Sequence, residues 1–328
     1  MLVVVVDDIL HVASSHQLID DFAASMSDTY AFKNLGEPTL MVGMRVTISP
    51  RAIRLDQAQY IKQLAASFEQ LDAAPVHCPA SVHGCLGSAD SHGSQQLDTY
   101  RCPYLSLVGG LLWVTLTRPD IAVAVSRACQ HSKAPTTAHW RAAIRILRFL
   151  LTTADRSITF QRRLRPVSLD AFADAAFANE SGKRSRYGHA IYLSDCLVCW
   201  LTKPTTAVCL STAEAEFIAA AEAAKDIIWL RNFLHELGFS QSLPTVLHED
   251  NQACVAMVRN HVVTARNRHF AVKMAWLRQQ VATGSIKLQF VASKKNLADL
   301  FTKILPAEAF RILSDMLLRR GMSPRGGC

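Results

Sequence analysis

The stretch Ser211-Thr212-Ala213-Glu214-Ala215-Glu216-Phe217-Ile218-Ala219-Ala220 opens the clearest helix in the chain, and strand patterns flank it on both sides. Ser211 followed three residues later by Glu214 is a capping box, and Gly238 is a stop signal. Between them Ala220, Ala223, Ile227, Leu230, Leu234 and Leu237 recur at helical spacing, so a helix with one buried face is expected from Ser211 to Leu237. Upstream, 167–178, 188–193 and 197–201 read as three strands in succession, with Gly182-Lys183-Arg184-Ser185 as a basic turn between the first two. Downstream come a strand at 245–248, a helix capped by Asp250-Asn251 and ending near Arg259, and a basic segment Arg266-Asn267-Arg268-His269. A helix at 271–282, a strand at 286–291 and a short helix capped by Asn296 follow. Strands first, then alternating helices and strands, make an α/β layer with helices on a mixed sheet.

Four acids lie where these elements start or end. Asp174 is in the first strand, and Glu216 sits just past the cap of the long helix, where it can point over the end of the sheet. Asp250 follows the fourth strand, and Asp299 lies within Leu297-Ala298-Asp299-Leu300-Phe301-Thr302-Lys303. Four carboxylates gathered into one site would hold two hard divalent cations about 4 Å apart, an arrangement that hydrolyses phosphodiesters.

The remaining chain is less sharply patterned. Residues 1–10 read as a fully buried strand that breaks at Asp7-Asp8 and resumes, with a hairpin tip as the expected geometry. A start inside a β-branched strand suggests a fragment of something longer. A helix is expected at 15–26, a strand at 40–48, and a helix at 59–71. Residues 75–98, rich in Pro, Ser, Gly and His, form the best linker candidate. His77, Cys78, His83, Cys85 and His92 fall inside it, but their spacing matches no ordinary zinc finger, which favours a loop. From 100 to 153 the chain is mostly helical, with Pro119 and Asp120 in a first turn and Thr137 as a cap. Trp140, Ile144, Leu147 and Leu151 form one stripe there; Arg141, Arg145 and Arg148 form a basic one, equally suited to phosphates and to solvent.

Composition narrows the classes further. With 328 residues, about two domains are expected. Half the residues are hydrophobic, which excludes a mainly disordered chain. Against 27 Asp and Glu stand 35 Lys and Arg, a net +8 that suits a polyanionic partner. The nine cysteines have no framework spacing and read as reduced thiols inside a cell. The lone pair Cys196 and Cys199 lacks the second pair of a metal or redox motif, so core cysteines are the favoured reading. No apolar run reaches membrane-spanning length and no targeting signal is found, so an intracellular place, cytoplasm or nucleus, is expected.

Several motifs resemble the C-terminal part of a Pol polyprotein from Ty1/copia-type retrotransposons, through nearly the whole length. Val5-Val6-Asp7-Asp8-Ile9-Leu10 resembles the YVDDIL motif of the reverse transcriptase palm, Asn34-Leu35-Gly36-Glu37 a DLGE stretch, and Gln57-Ala58-Gln59-Tyr60-Ile61 an SQxxYI stretch. Tyr104 to Gly110 and Thr117 to Ala122 resemble the YRSLVGSL and TRPDIA block. Leu210 to Glu216 resembles SSTEAE, Glu249-Asp250-Asn251-Gln252 the CDNQ motif, and Asn296 to Pro306 the QLADIFTKPLP ending.

The resemblance implies a truncated reverse-transcriptase palm, thumb and connection region followed by a ribonuclease H-like mixed sheet with flanking helices. The divisions expected are palm and thumb at 1–74, linker at 75–98, helical connection at 99–165, ribonuclease H-like domain at 166–305, and a C-terminal helix with a basic tail at 306–328. It implies that Asp174, Glu216, Asp250 and Asp299 bind two Mg2+ ions, with Mn2+ as a substitute, to cut the RNA strand of an RNA/DNA hybrid. His269 is a candidate helper. Arg141, Arg145, Arg148, Lys183, Arg184, Arg266 and Arg268 are candidate nucleic-acid contacts, and a separate N-terminal polymerase portion is a candidate partner. Departures from the pattern are Val5 in place of tyrosine, Ala176 where the second acid of a DADWAG stretch stands, and Ala271 where the acid of a KHIDI stretch stands. With no earlier palm carboxylate in the sequence, Asp7 and Asp8 are expected to be a vestigial polymerase half-site. An inactive degenerate fragment with weak nucleic-acid binding is the alternative.

Overall fold

The computed structural model describes residues 1–84, 86, 95–162, 166–259 and 270–319. Chain order begins with a hairpin of β1 (Leu2–Val5) and β2 (Asp8–His11), then α1 (His16–Thr29), β3 (Leu40–Met41), β4 (Met44–Ile48), β5 (Ala52–Asp56) and α2 (Ala58–Ser67). Three helices follow, α3 (Tyr104–Val114), α4 (Ala122–Gln130) and α5 (Thr137–Thr152), then β6 (Ile158–Gln161), β7 (Leu169–Ala176), β8 (Arg186–Leu193) and β9 (Cys196–Pro204). The chain continues through α6 (Thr212–Glu236), β10 (Thr245–Glu249), α7 (Gln252–Arg259), α8 (Ala271–Ala282), β11 (Ile286–Phe290) and α9 (Ala307–Arg319).

The expected mixed sheet is present. Its strand order is β11-β10-β7-β8-β9, with β7, β8 and β9 antiparallel and β10 parallel to both β7 and β11. Helices pack on both faces of it, as expected of a mixed sheet with flanking helices. Side chains alternate across each strand. Ala171, Ala173 and Ala175 of β7 face the core shared with α6, α7 and α8, whereas Phe172 faces a second core with α3, α4, α5 and α9.

The long helix explains the first core. Ser211 accepts a hydrogen bond from the Glu214 N–H at 3.1 Å, and the Glu214 carboxylate accepts from the Leu210 N–H at 2.7 Å. Both acceptors satisfy otherwise orphaned donors at the helix start. Ala215, Ala219, Ala220, Ala223 and Ala224 are fully buried, so small side chains let α6 approach the sheet closely. Phe217, also fully buried, supplies roughly 1.5–3 kcal/mol of the docking.

Several expectations need correction. The strand at residues 2–5 is not buried: Val4 is 64% exposed, and β1 and β2 form a two-stranded hairpin alone, turning at Val6 with φ 53°. No further described strand pairs with it, so the valines express their β propensity without burial. The cap of α5 is Thr136, whose hydroxyl accepts from the His139 N–H while His139 accepts from the Thr136 N–H. The expected helix at 59–71 spans only 58–67, and the stretch 297–301 forms a 3-10 helix. β5 and β6 escape sequence reading because they pair across a long separation, Ala52 opposite Gln161, in the four-stranded sheet β3-β4-β5-β6.

Residues between 75 and 98 do more than tether. Cys78, Ala80, Leu86 and Leu97 lie in the second core. Arg145 donates to the Cys78 carbonyl, and Arg148 donates twice to the Ala74 carbonyl. The basic tail at 320–328 lies outside the described residues.

Candidate active site

Three elements bring three of the four acids together. Asp174 stands on β7 opposite Gly188, Glu216 comes from the second turn of α6, and Asp250 follows β10. One carboxylate oxygen from each lies within 4.8 Å of the others. Asp174 is fully buried and Glu216 is 8% exposed. The second oxygen of Glu216 is buried without a hydrogen-bond partner among the described residues. Burial first, then the charges of Asp174 and Asp250, push Glu216 up to about 9, against the counteracting Lys303 and the Ala175 N–H. Like-charged oxygens this close, with an orphaned acceptor among them, fit a hard cation.

The fourth acid arrives on the stretch 297–303. Asn296 caps it, accepting from the Ala298 N–H at 3.2 Å and donating to the Ala173 carbonyl of β7 at 2.8 Å. Gly188 makes room: a Cβ there would lie 2.4 Å from Phe301 Cβ and 2.9 Å from the Phe301 carbonyl oxygen. Glycine is therefore required for this turn to lie across the sheet. Asp299 then joins Asp174 through Lys303, whose ammonium donates to Asp299 Oδ1 at 2.6 Å and to Asp174 Oδ1 at 3.1 Å. The Thr302 hydroxyl donates to the other oxygen of Asp174. Burial and the Asp174 charge push Asp299 up to about 7, and Lys303 opposes them.

Three residues of this site were missed in the sequence. Lys303 and Thr302 lie inside the very stretch quoted for Asp299, and the signal was an i,i+4 acid–lysine pair. Glu249 is fully buried beside Asp250; one oxygen accepts from the Asn251 N–H at 3.2 Å and the other has no partner among the described residues. Burial, then Glu216, hold its carboxyl well above the usual range.

Other candidates divide by location. Lys183 is exposed and Arg184 half-buried on the loop after β7, the strand that carries Asp174. That loop is held by Glu180, which binds Arg186 at 2.7 Å and Arg127 at 3.3 Å. Arg141, Arg145 and Arg148 instead line a cavity of about 460 Å³ against Val76, Pro79, Ala80, Ser81, Gly84 and Leu86, and none of the four acids lines it. Asp7 and Asp8 lie exposed at the isolated hairpin, and no third carboxylate joins them among the described residues. His269, Arg266 and Arg268 lie outside the described residues, as do Cys85 and His92. Cys78 is buried with its thiol donating to the Ala80 carbonyl, while His77 and His83 are exposed. Among the described residues, no helix is long and apolar enough to cross a membrane.

No family model matches the chain. The chain is 31% identical over 327 residues to the retrovirus-related Pol polyprotein from transposon TNT 1-94 of Nicotiana tabacum, covering 97% of this chain and 24% of that polyprotein. It is 30% identical to an uncharacterised mitochondrial protein of Arabidopsis thaliana, covering 70% of this chain and 93% of that protein. Among solved structures it is similar to LC11-RNase H1 in complex with RNA/DNA hybrid, at 14% identity and a TM-score of 0.33, over 42% of this chain and 96% of that one. The chain spans about a quarter of the length of the TNT 1-94 polyprotein, and it belongs to the Pol polyprotein family of copia-type retrotransposons.

Proposed function

We propose that this chain is a divalent-metal-dependent ribonuclease H that hydrolyses the RNA strand of RNA/DNA hybrids. The observation that carries the reading is the convergence of Asp174, Glu216 and Asp250 within 4.8 Å, with an unpartnered buried oxygen on Glu216. Asp299, joined to Asp174 through Lys303, completes a donor set suited to two magnesium ions, with manganese as a substitute. Such ions would supply water activation and charge neutralisation at the leaving oxygen.

The chain's own residues set the geometry. Asn296 and Gly188 hold the 297–303 turn over β7, so Asp299 and Asp174 keep a fixed separation. Thr302 orients the Asp174 carboxylate, leaving its other oxygen toward Lys303. Lys303 offsets part of the charge of Asp174 and Asp299, and with a cation held by the acids its ammonium would be free to meet a phosphate. Lys183 and Arg184 offer phosphate contacts at the loop that follows β7. Asp7 and Asp8 take no part, and we infer that the chain performs no DNA synthesis by itself.

A second reading, a degenerate element that binds nucleic acid weakly and cuts nothing, draws on Lys303. Its ammonium already occupies a cation's place between two of the acids. Cleavage of a labelled RNA/DNA hybrid by the folded chain separates the two. The nuclease cuts only the RNA strand, requires Mg2+ or Mn2+, and loses on the order of 10³-fold in rate in Asp250→Asn. A folded chain that leaves the hybrid intact is the degenerate element.

A further inference from the structure

A second set of metal-type donors lies between the sheet and the same long helix. His189 on β8, Cys199 on β9 and Asp226 on α6 each offer one atom, and the three atoms lie within 4.8 Å of one another. His189 is fully buried. Its Nε2 approaches Asp226 Oδ2 at 2.8 Å, yet neither ring nitrogen has a partner in hydrogen-bond geometry among the described residues. A buried polar nitrogen left in that state is destabilising until it finds a partner. The site is reachable: the Asp226 side chain is 43% exposed, and Cys199 is a free, half-buried thiol.

The donor chemistry differs from that of the acid cluster. Thiolate and imidazole favour zinc-type ions, whereas carboxylates alone favour magnesium. Tetrahedral zinc with these donors needs separations of roughly 3.3–3.7 Å, so closing gaps of at most roughly 1.5 Å completes the set. We propose that His189, Cys199 and Asp226 bind a zinc-type transition-metal ion, with a fourth position open on the side where Asp226 meets solvent. The Cys199 thiol releases its proton to solvent as the sulfur–metal bond forms. The ion clips α6 onto β8 and β9 at a point about 15 Å along the helix axis from Glu216, at 1.5 Å per residue. It is a structural clip, and the residues are not catalytic.

Cobalt titration of the reduced full chain tests this directly. The three-donor site gives a thiolate-to-cobalt charge-transfer band, which carboxylates alone do not give. The band is expected to saturate at one ion per chain, to be displaced by zinc, and to persist in Asp250→Asn. In Cys199→Ser and His189→Gln it should fall by about tenfold or more at equal cobalt. No band, or a band that survives in Cys199→Ser, overturns the proposal. Because His189→Gln alters a buried position, alkylation of Cys199 in the unaltered chain, mapped by peptide mass, gives a second reading. Zinc should slow it and magnesium should not; a rate unchanged by zinc overturns the site.

Discussion

Two buried charge clusters in this chain are built on opposite principles. In the helical region, Arg118 and Asp120 are both fully buried and pair at 2.9 Å, while Ser314 donates to Asp120 and Arg118 also donates to the Thr153 carbonyl and hydroxyl. Burial pushes Asp120 up, but Arg118 and then Arg156 outweigh it, leaving the carboxyl below its ordinary range. At the sheet end, Asp174, Glu216, Asp250, Asp299 and Glu249 crowd together with one ammonium among them, and three of them are held above their ordinary range. A matched cluster joins elements; an unmatched one keeps a place for a cation. The family motifs run through both, so only charge balance tells structure from chemistry here.

Breaking the matched cluster should produce the largest change in stability. Asp120→Ala leaves the Arg118 guanidinium buried without its carboxylate, and urea unfolding should register a loss of about 3–5 kcal/mol. A loss below about 1 kcal/mol would mean that the pair is not the joint described here.

The helical region should also weaken in acid. His139 is 3% exposed and stacks on His131 at 3.7 Å; burial, then His131, lowers its pKa to about 4. The folded state therefore binds this proton less tightly than the unfolded chain, whose histidine titrates near 6.5. Its stabilising contribution is complete above about pH 6.5 and is lost as pH falls toward 4, by up to about 3 kcal/mol. His139→Gln should flatten that part of the pH profile; an unchanged slope would assign it to other groups.

The acid site should respond with the opposite sign. The folded pKa of Glu216 is raised, so in metal-free protein its cost grows as pH rises from the unfolded value near 4.5 through about 9. Glu216→Gln removes that cost, and metal-free unfolding at pH 8 should show a gain on the order of 1–3 kcal/mol. A loss instead would mean that the carboxylate is already matched.

How much of this was legible in the sequence follows from the range of the signals. The long helix, its Ser211 cap and the strands around it were readable because cap and periodicity are local. The four acids were named because each lies near the start or end of an element and falls in a family motif. Lys303, Thr302 and Glu249 escaped because their roles depend on which distant strand they meet, and Lys303 reads locally as an ordinary surface lysine. Arg145 and Arg148 read equally well as a phosphate stripe and as a solvated face; their bonds to the carbonyls of Cys78 and Ala74 have no local pattern. The His189, Cys199 and Asp226 set was hidden for the same reason, because three separate elements contribute one residue each.

The central claim is that the unmatched acids are a divalent-cation site, and thermal unfolding at pH 8 with and without Mg2+ tests it most directly. Binding to the folded state alone stabilises by about 3–4 kcal/mol at 100 to 1,000 times the dissociation constant. The account predicts a melting temperature raised by Mg2+ in the unaltered chain and scarcely moved in Asp250→Asn. No rise in the unaltered chain, or an equal rise in Asp250→Asn, would contradict it.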